Sequence, residues 1–434
     1  KVRFICVDAD DSKIISRVSL ENGLRVTFSR SGHILGSCGI TVNWGFSEED
    51  PKGKSIHFSG DVGSNFESNC YLPLLKHNHL PFPDVDYILT ESTYGGRIRD
   101  EKYKSSKNRL DALRELIDET VFKNNGKLII PSFSIHRTQE IMVDLYCILS
   151  EEGMRERIKN HIGSMHGSDL KNFAVYVNST MGCKANSLFA KELLSKLDSG
   201  KYKYKNNLLP VDDSILMRLF EDGFYKFNDN NCFIKVMDGK SKIETSAVNG
   251  SVFIASSGMC DAGAITGYLK LLGDNPNNTI VITGYQSRGS RGFKILNGDD
   301  PEVKARVADM SGYYSAHADE SGLLDYIFSL DGYEQKNKNG TTVFINHGTD
   351  ESKNALSLSL RSRADGNKDG DRKINDVVVL SEKNNYFDLN SGDMICVASR
   401  DGSIDHMESL SLLHDKIDKL TELDESLLVG KRQS

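Results

Sequence analysis

Nowhere in these 434 residues does an apolar run reach the ~18 residues of a membrane-spanning helix, so no transmembrane segment is expected. The opening stretch, KVRFICVDADD, carries neither the apolar core nor the small-residue cleavage site of a secretory signal. No two of the eight cysteines stand as Cys-x-x-Cys, and several sit in apolar settings such as DLYCIL and DMICVA. That usage excludes a disulfide scaffold and fits reduced thiols in a cytoplasmic setting. A global surplus of basic charge is also missing. The net charge of −7 gives no general electrostatic footprint for nucleic acid. No internal repeat is evident, which argues against a solenoid.

What is present suits a globular chain of two or three domains, with 38% hydrophobic and 26% charged residues. Short apolar runs predict strands at 24–29, 39–46, 54–59, 86–91, 127–131, 173–178, 251–256, 279–283 and 341–346. Helical periodicity covers 107–122, 136–150, 184–198, 262–272, 319–329 and 351–363. The first third is mostly strand and turn. Strand and helix alternate from about 105 to 285, which implies a parallel sheet with covering helices, and hence two domains.

Charge is uneven. Residues 97–109, RIRDEKYKSSKNR, carry six basic and two acidic side chains, and 284–294, GYQSRGSRGFK, carry three basic and no acidic ones. Two such segments suit one phosphate-contacting groove; solvated surface is the plainer reading. The stretch 403–428 spaces Ile404, Met407, Leu410, Leu413, Ile417, Leu420 and Leu427 as a helical stripe, either docking on the chain itself or forming a homodimer contact. Asp365, Asn367, Asp369, Gly370 and Asp376 partly match a calcium loop. Arg372 sits where such loops carry an apolar residue, so a surface loop is expected instead.

Five segments share one pattern, in which a strand ends and a His or carboxylate follows beside Gly or Ser. They are SGHILGS with His33, HFSGDVG with Asp61, ILTESTYGG with Glu91, GYYSAHADESG with His317 and FINHGTDES with His347. Loops at strand ends are where a rigid sheet fixes reactive groups. Singly, each has a structural explanation: a hydrogen-bonded histidine, a turn-forming aspartate, a capping glutamate.

In this order the five segments resemble the later motifs of the metallo-β-lactamase superfamily, specifically its β-CASP nuclease group. IIPSFSIHRTQEIM (129–142), IASSGMCDAGAITGYL (254–269) and IVITGYQSRGSRG (280–292) are similar to further segments of that group, and the resemblance spans roughly residues 20–390. It implies an α/β fold, namely a metallo-β-lactamase αββα sandwich with an inserted α/β β-CASP domain. The 225 residues between Glu91 and His317 would hold that insert. The corresponding boundaries are 1–95 and 286–390 for the metallo-β-lactamase part, 96–285 for the insert, and 391–434 for a helical tail.

The resemblance also implies roles. His33 would ligate one zinc, Asp61 would bridge two, and His347 would ligate the second. Asp is short and anionic enough for such a bridge, and neutral imidazole supplies the remaining ligands. Glu91 would orient His317, the proton donor to the leaving oxygen. Ser315, Arg288 and Arg137 are the candidate substrate contacts. The implied activity is two-metal hydrolysis of phosphodiesters, most directly in single-stranded RNA. An inactive nucleic-acid-binding or scaffold paralogue and a small-molecule metallo-hydrolase are the alternatives. One departure is large: the group's His-x-His-x-Asp-His signature precedes the segment of His33, yet none of the 32 residues before His33 is a histidine. His77 and His79 in KHNHL fall after Asp61 and read as surface loop. Because Lys1 is not a Met, the fold class is read with its N-terminal part missing. The remaining ligands are then expected upstream of Lys1, or from another polypeptide.

Overall fold

Strands whose every residue is buried need cover on both faces, and among the described residues four short segments meet that condition: Leu128–Pro131, Val252–Ala255, Thr279–Ile282 and Thr341–Ile345. The computed structural model describes residues 16–19, 23–46, 53–64, 82–164, 172–194, 213–227, 231–237, 243–330, 340–366, 368–380, 385–391 and 393–396. Its strands begin with β1 (Ser16–Ser19), β2 (Arg25–Arg30), β3 (Cys38–Trp44), β4 (Lys54–Phe58) and β5 (Tyr87–Thr90). Then come β6 (Leu128–Pro131), β7 (Phe173–Asn178), β8 (Phe224–Lys226), β9 (Cys232–Met237), β10 (Val252–Ala255), β11 (Thr279–Ile282) and β12 (Arg306–Asp309). The last are β13 (Thr341–Ile345), β14 (Ile374–Val379), β15 (Asn385–Asp388) and β16 (Asp393–Cys396).

Two seven-stranded sheets result. The first has the order β1-β2-β3-β4-β5-β13-β14, antiparallel from β1 to β4 and parallel from β4 to β14. β2 alternates exposed or half-buried positions with buried ones, as a strand with one wet face should. The second sheet, β12-β11-β6-β10-β7-β9-β8, is parallel except at its β8–β9 edge. Its two faces carry separate apolar cores. One packs helix Arg137–Ser150 and part of Ser106–Ile117 through Ile141, Leu145 and Leu113; the other packs Ile265–Leu272 through Ile265 and Leu269. The last strand of this sheet, β12, lies beyond residue 285, the boundary read from the sequence. Among the described residues, the strands outside the second sheet up to Val379 form one seven-stranded sheet.

The chain divides into two compact units, Lys1–Val379 and Leu380–Ser434. The second contains the hairpin β15–β16. The apolar stripe at 403–428 and the KHNHL histidines fall outside the described residues. Among the described residues, no helix is long and apolar enough to cross a membrane.

Arg372 belongs to the core rather than to a cation loop. It is 1% exposed and donates to the carbonyls of Phe82, Pro83, Ile327 and Ser329, with Asp84 as its counter-charge. The neighbouring carboxylates are engaged by arginines, Asp371 by Arg363 and Asp376 by Arg361.

Candidate metal centre

β2, β4, β5 and β13 run in the same direction, because each antiparallel step from β2 to β4 is reversed by the next. Their carboxyl ends therefore meet along one sheet edge. His33 and Asp61 lie shortly past the ends of β2 and β4, Glu91 directly follows β5, and His347 follows β13 after one residue. The segment of His317 pairs against the Asp61 loop, with Gly63 opposite His317 and the Ala318 N–H donating to Val62 O at 2.8 Å. Gly63 makes this approach possible, since a Cβ there would lie 2.1 Å from Gly32 of the His33 loop. All five motif residues are brought together.

Asp61 stands between two imidazoles. Its Oδ2 is 3.7 Å from His33 Nε2, and its Oδ1 is 3.6 Å from His347 Nδ1. Glu91 is buried and accepts from the backbone N–H of Val62 at 2.5 Å, while both its oxygens lie 3.0–3.1 Å from His317 Nδ1. Burial opposes charge on His317, but the hydrogen bond and charge of Glu91 outweigh it and raise the imidazole pKa. Burial likewise opposes the Glu91 carboxylate, and the bond to His317 leads the contacts that bring its pKa down nonetheless. His33, whose ring centroid is 4.4 Å from that of His317, is pushed down to about 3, first by burial and then by its neighbouring imidazole.

This donor set fits a metal. His33 is held neutral, the ligand form of imidazole, and its buried Nδ1 has no hydrogen-bond partner. Two ligands of one tetrahedral zinc lie roughly 3.3 Å apart, given bonds of about 2.0–2.1 Å. The gaps of 3.7 and 3.6 Å flanking Asp61 need close only slightly to match. Ligand atoms of His33, Asp61 and His317 lie within 4.8 Å of one another, as do those of Asp61, Glu91 and His347. Asp61 is common to both groups.

A cavity of about 810 Å³ opens over these residues. Its other wall comes from the carboxyl ends of the second sheet: Phe133 to Arg137 after β6, Met259 after β10, and Gly284, Tyr285 and Ser287 after β11. Phe133, Ile135, Met181 and Tyr285 expose apolar surface there. The carboxyl ends of both sheets thus face one space, the usual place for ligands in α/β proteins.

The candidate substrate residues are placed differently from one another. Ser315 lines the cavity, and its carbonyl accepts from both terminal nitrogens of Arg99 at 3.0 Å. Arg137 also lines it, but its guanidinium is buried against Glu140 and over the Tyr314 ring. Arg288 is exposed and lies outside the cavity wall. The basic run 97–109 turns two of its side chains inward, contrary to the expectation of a solvated or phosphate-facing stretch. Arg99 donates to the carbonyls of Gly312, Ser315 and His317. Arg109, fully buried, pairs with Asp144 and Glu140, and Asp144 also accepts from Tyr314 at 2.6 Å. Both arginines resemble ordinary surface cations in the sequence.

Residues 138–295 match the Beta-Casp domain, and 300–369 match the Zn-dependent metallo-hydrolase RNA specificity domain. The chain carries a β-CASP domain. This β-CASP chain is 25% identical over 312 residues to a ribonuclease of Thermus thermophilus, covering 70% of its own length and 60% of that protein's. It is 26% identical to the transcription termination factor FttA of Methanothermobacter thermautotrophicus, over 70% of its own length and 42% of the other's. It is 23% identical to the endoribonuclease ysh1 of Schizosaccharomyces pombe, over 83% and 40% of the two chains. The β-CASP chain therefore spans 40–60% of the length of these relatives. Its fold is the metallo-β-lactamase type with an inserted domain.

Proposed function

We propose that the chain is the catalytic part of a zinc-dependent ribonuclease that hydrolyses phosphodiesters in single-stranded RNA at a two-metal site. The observation that carries this reading is Asp61 held between His33 and His347, beside a His317–Glu91 pair. The names of the relatives, which include ribonucleases, support it. Residues 96–285, with β12, form the cap over the cleft in this reading, and 1–95 and 286–390 carry the metal-facing edge.

His33 and His347 would each hold one zinc and Asp61 would join them. Bound zinc supplies Lewis-acid charge and an acidified water to such a site. The chain's own groups supply the rest. Glu91 fixes the tautomer of His317 and favours its protonated form, so that His317 can pass a proton to the departing ribose oxygen. Ser315, two residues before it, offers a hydroxyl to a phosphate oxygen. The apolar and aromatic wall of Phe133, Ile135 and Tyr285 suits unstacked bases better than a duplex.

Two variants separate the roles. Asp61→Ala is expected to lose bound zinc and cleavage together. His317→Ala is expected to keep zinc while cleavage of single-stranded RNA falls by about 10²–10⁴-fold, the range for a lost acid–base group. Zinc is counted by plasma emission on the full-length protein. Normal turnover in both variants would refute the assignment, and a protein that holds no zinc and leaves RNA intact would point to the inert scaffold instead.

A further inference from the structure

Three loops that leave neighbouring strands of the second sheet meet at Phe133. β6 lies between β11 and β10, and Phe133, Gly284 and Gly258 follow these strands by two or three residues. A Cβ on Gly258 would lie 3.0, 3.0 and 3.1 Å from Cδ2, Cε2 and Cγ of the Phe133 ring. Near-equal distances to three adjacent ring atoms mark an approach over the ring face, because an edge-on approach would leave the outer two atoms clearly farther away. Gly284 adjoins the same ring at Cε2, where its Cβ would stand 3.1 Å off. Glycine at both positions lets the backbone come this close without displacing the ring. The buried Gln286 side chain ties the two glycine loops together, donating to Gly258 O at 3.0 Å and to Gly284 O at 3.1 Å. Thr138 fixes the Phe133 carbonyl through its hydroxyl at 2.8 Å and its N–H at 3.2 Å. The ring is backed on one face and anchored at its own backbone.

Its other face is open. Phe133 is 41% exposed and lines the cavity that His33, Asp61 and His347 share. Single exposed apolar side chains are ordinary, but Ile135, Met181 and Tyr285 expose theirs around the same cavity, and a cluster of that kind in a cleft marks a ligand site. The neighbouring polar side chains are engaged within the loops, Gln286 by the two glycine carbonyls and the Ser287 hydroxyl by the Met259 sulfur at 3.4 Å. A phenyl face carries no hydrogen-bonding group of its own. The ligand group that matches a flat, rigid, apolar face is another flat ring, and in a nucleic acid that is the base.

Resting on the ribonuclease reading of this site, we propose that Phe133 is a base-stacking platform, whose open face takes one unpaired nucleobase of the RNA strand and so fixes where the strand lies across the metal-facing edge. Stacking asks only for a π-face, so this position tolerates any base but not a missing one.

The test uses the zinc-loaded full-length protein and a fluorescein-labelled short oligouridylate, together with a set of the same strand in which one base at a time is replaced by an abasic ribose. Steady-state cleavage gives KM and kcat, and zinc content and melting temperature are measured separately. On wild type, one abasic position is expected to raise KM by about 5- to 150-fold, the range for a single stacked base. Phe133→Ala should raise KM on the intact strand within the same range, with kcat and zinc content little changed, while Phe133→Tyr, which keeps the ring face, stays close to wild type. In F133A the abasic position should then cost nothing further, because the two changes remove one contact. An unchanged KM in F133A would overturn the proposal, as would an F133Y as weak as F133A, or an abasic penalty that persists undiminished in F133A. If F133A melts early, Phe133→Leu keeps the bulk without the π-face and is read by the same abasic comparison. A wild type that binds no RNA and cleaves none would bring down the nuclease reading together with this one. A wild type that cleaves RNA, beside an F133A that does so equally well at low substrate, refutes this inference alone.

Discussion

Arg99 shows what a single residue does for the site without touching it. Its guanidinium is buried and donates to the carbonyls of Gly312, Ser315 and His317, so the two terminal nitrogens of a rigid fork make four hydrogen bonds to the loop that presents His317. Lysine has no such fork. Arg99→Lys and Arg99→Ala are both expected to lower kcat by roughly 10²-fold, the cost of about 1 Å of misplacement, with KM and zinc content little changed. Steady-state kinetics on RNA resolve the split, and a change confined to KM would exclude the positioning role. The residue scale is also where legibility in the sequence was most uneven. His33, Asp61, Glu91 and His347 stood out because each follows a strand and adjoins Gly or Ser, whereas His317 follows the short helix Ser311–Tyr314 and lies between two alanines. Arg99, Arg109 and His136 did not stand out, because nothing in one dimension distinguishes a cation that turns inward from one that faces water. Likewise, the tight γ-turn at His136, φ 70 and ψ −57, has no counterpart in its neighbours' identities.

Among elements, the strands buried on both faces were the most legible. LIIP and VFIA are apolar throughout, TIVI is apolar after its threonine, and all three were placed to within a residue or two. β12, Arg306–Asp309, was not, since as an edge strand it alternates exposed and half-buried positions over only four residues. The turn after helix Asp350–Asp365 read as a surface loop, yet it buries Arg372. Arg372 there joins that turn to the segments of Phe82 and Ile327, satisfying four carbonyls at once. Arg372→Met is expected to destabilise the protein by about 3–5 kcal/mol, since Asp84 and the carbonyls are left buried and unpaired. Urea unfolding measures this, and added calcium should leave the midpoint of the wild type unmoved.

At the scale of the whole molecule, a buried ion network ties the two sheets' segments together. Arg109 and Asp144 come from helices packed on the second sheet, and Tyr314 comes from the segment leading back to His317. Asp144 accepts from both, and Glu140 adds a second carboxylate. Removing the cation leaves two carboxylates buried without it. Arg109→Leu is therefore expected to cost about 3–5 kcal/mol, again by urea unfolding. Substitution of Tyr314 by Phe, which removes one hydrogen bond, should cost about 1–3 kcal/mol. A smaller loss for Arg109→Leu than for Tyr314→Phe would contradict this ordering. The division into a strand-rich first part and an alternating middle was visible from texture alone. The convergence of both sheets' carboxyl ends on one cavity was not, since it depends on how the chain crosses between them.

The order of strands in the first sheet also sets a schedule for biosynthesis. β5 lies between β4 and β13, yet β13 is made some 250 residues after it. At ~5–20 residues per second, a ribosome takes roughly 10–50 s to cover that distance. Throughout that interval one edge of β5, carrying Tyr87, Ile88 and Leu89, has no native strand to pair with. The second sheet, whose strands all lie within the interval, has time to close first. A nascent chain arrested before Thr341 should accordingly hold a folded second sheet beside an open and adhesive first one. Pausing or truncation in that window is the moment at which this protein is most exposed to aggregation or to capture by a chaperone.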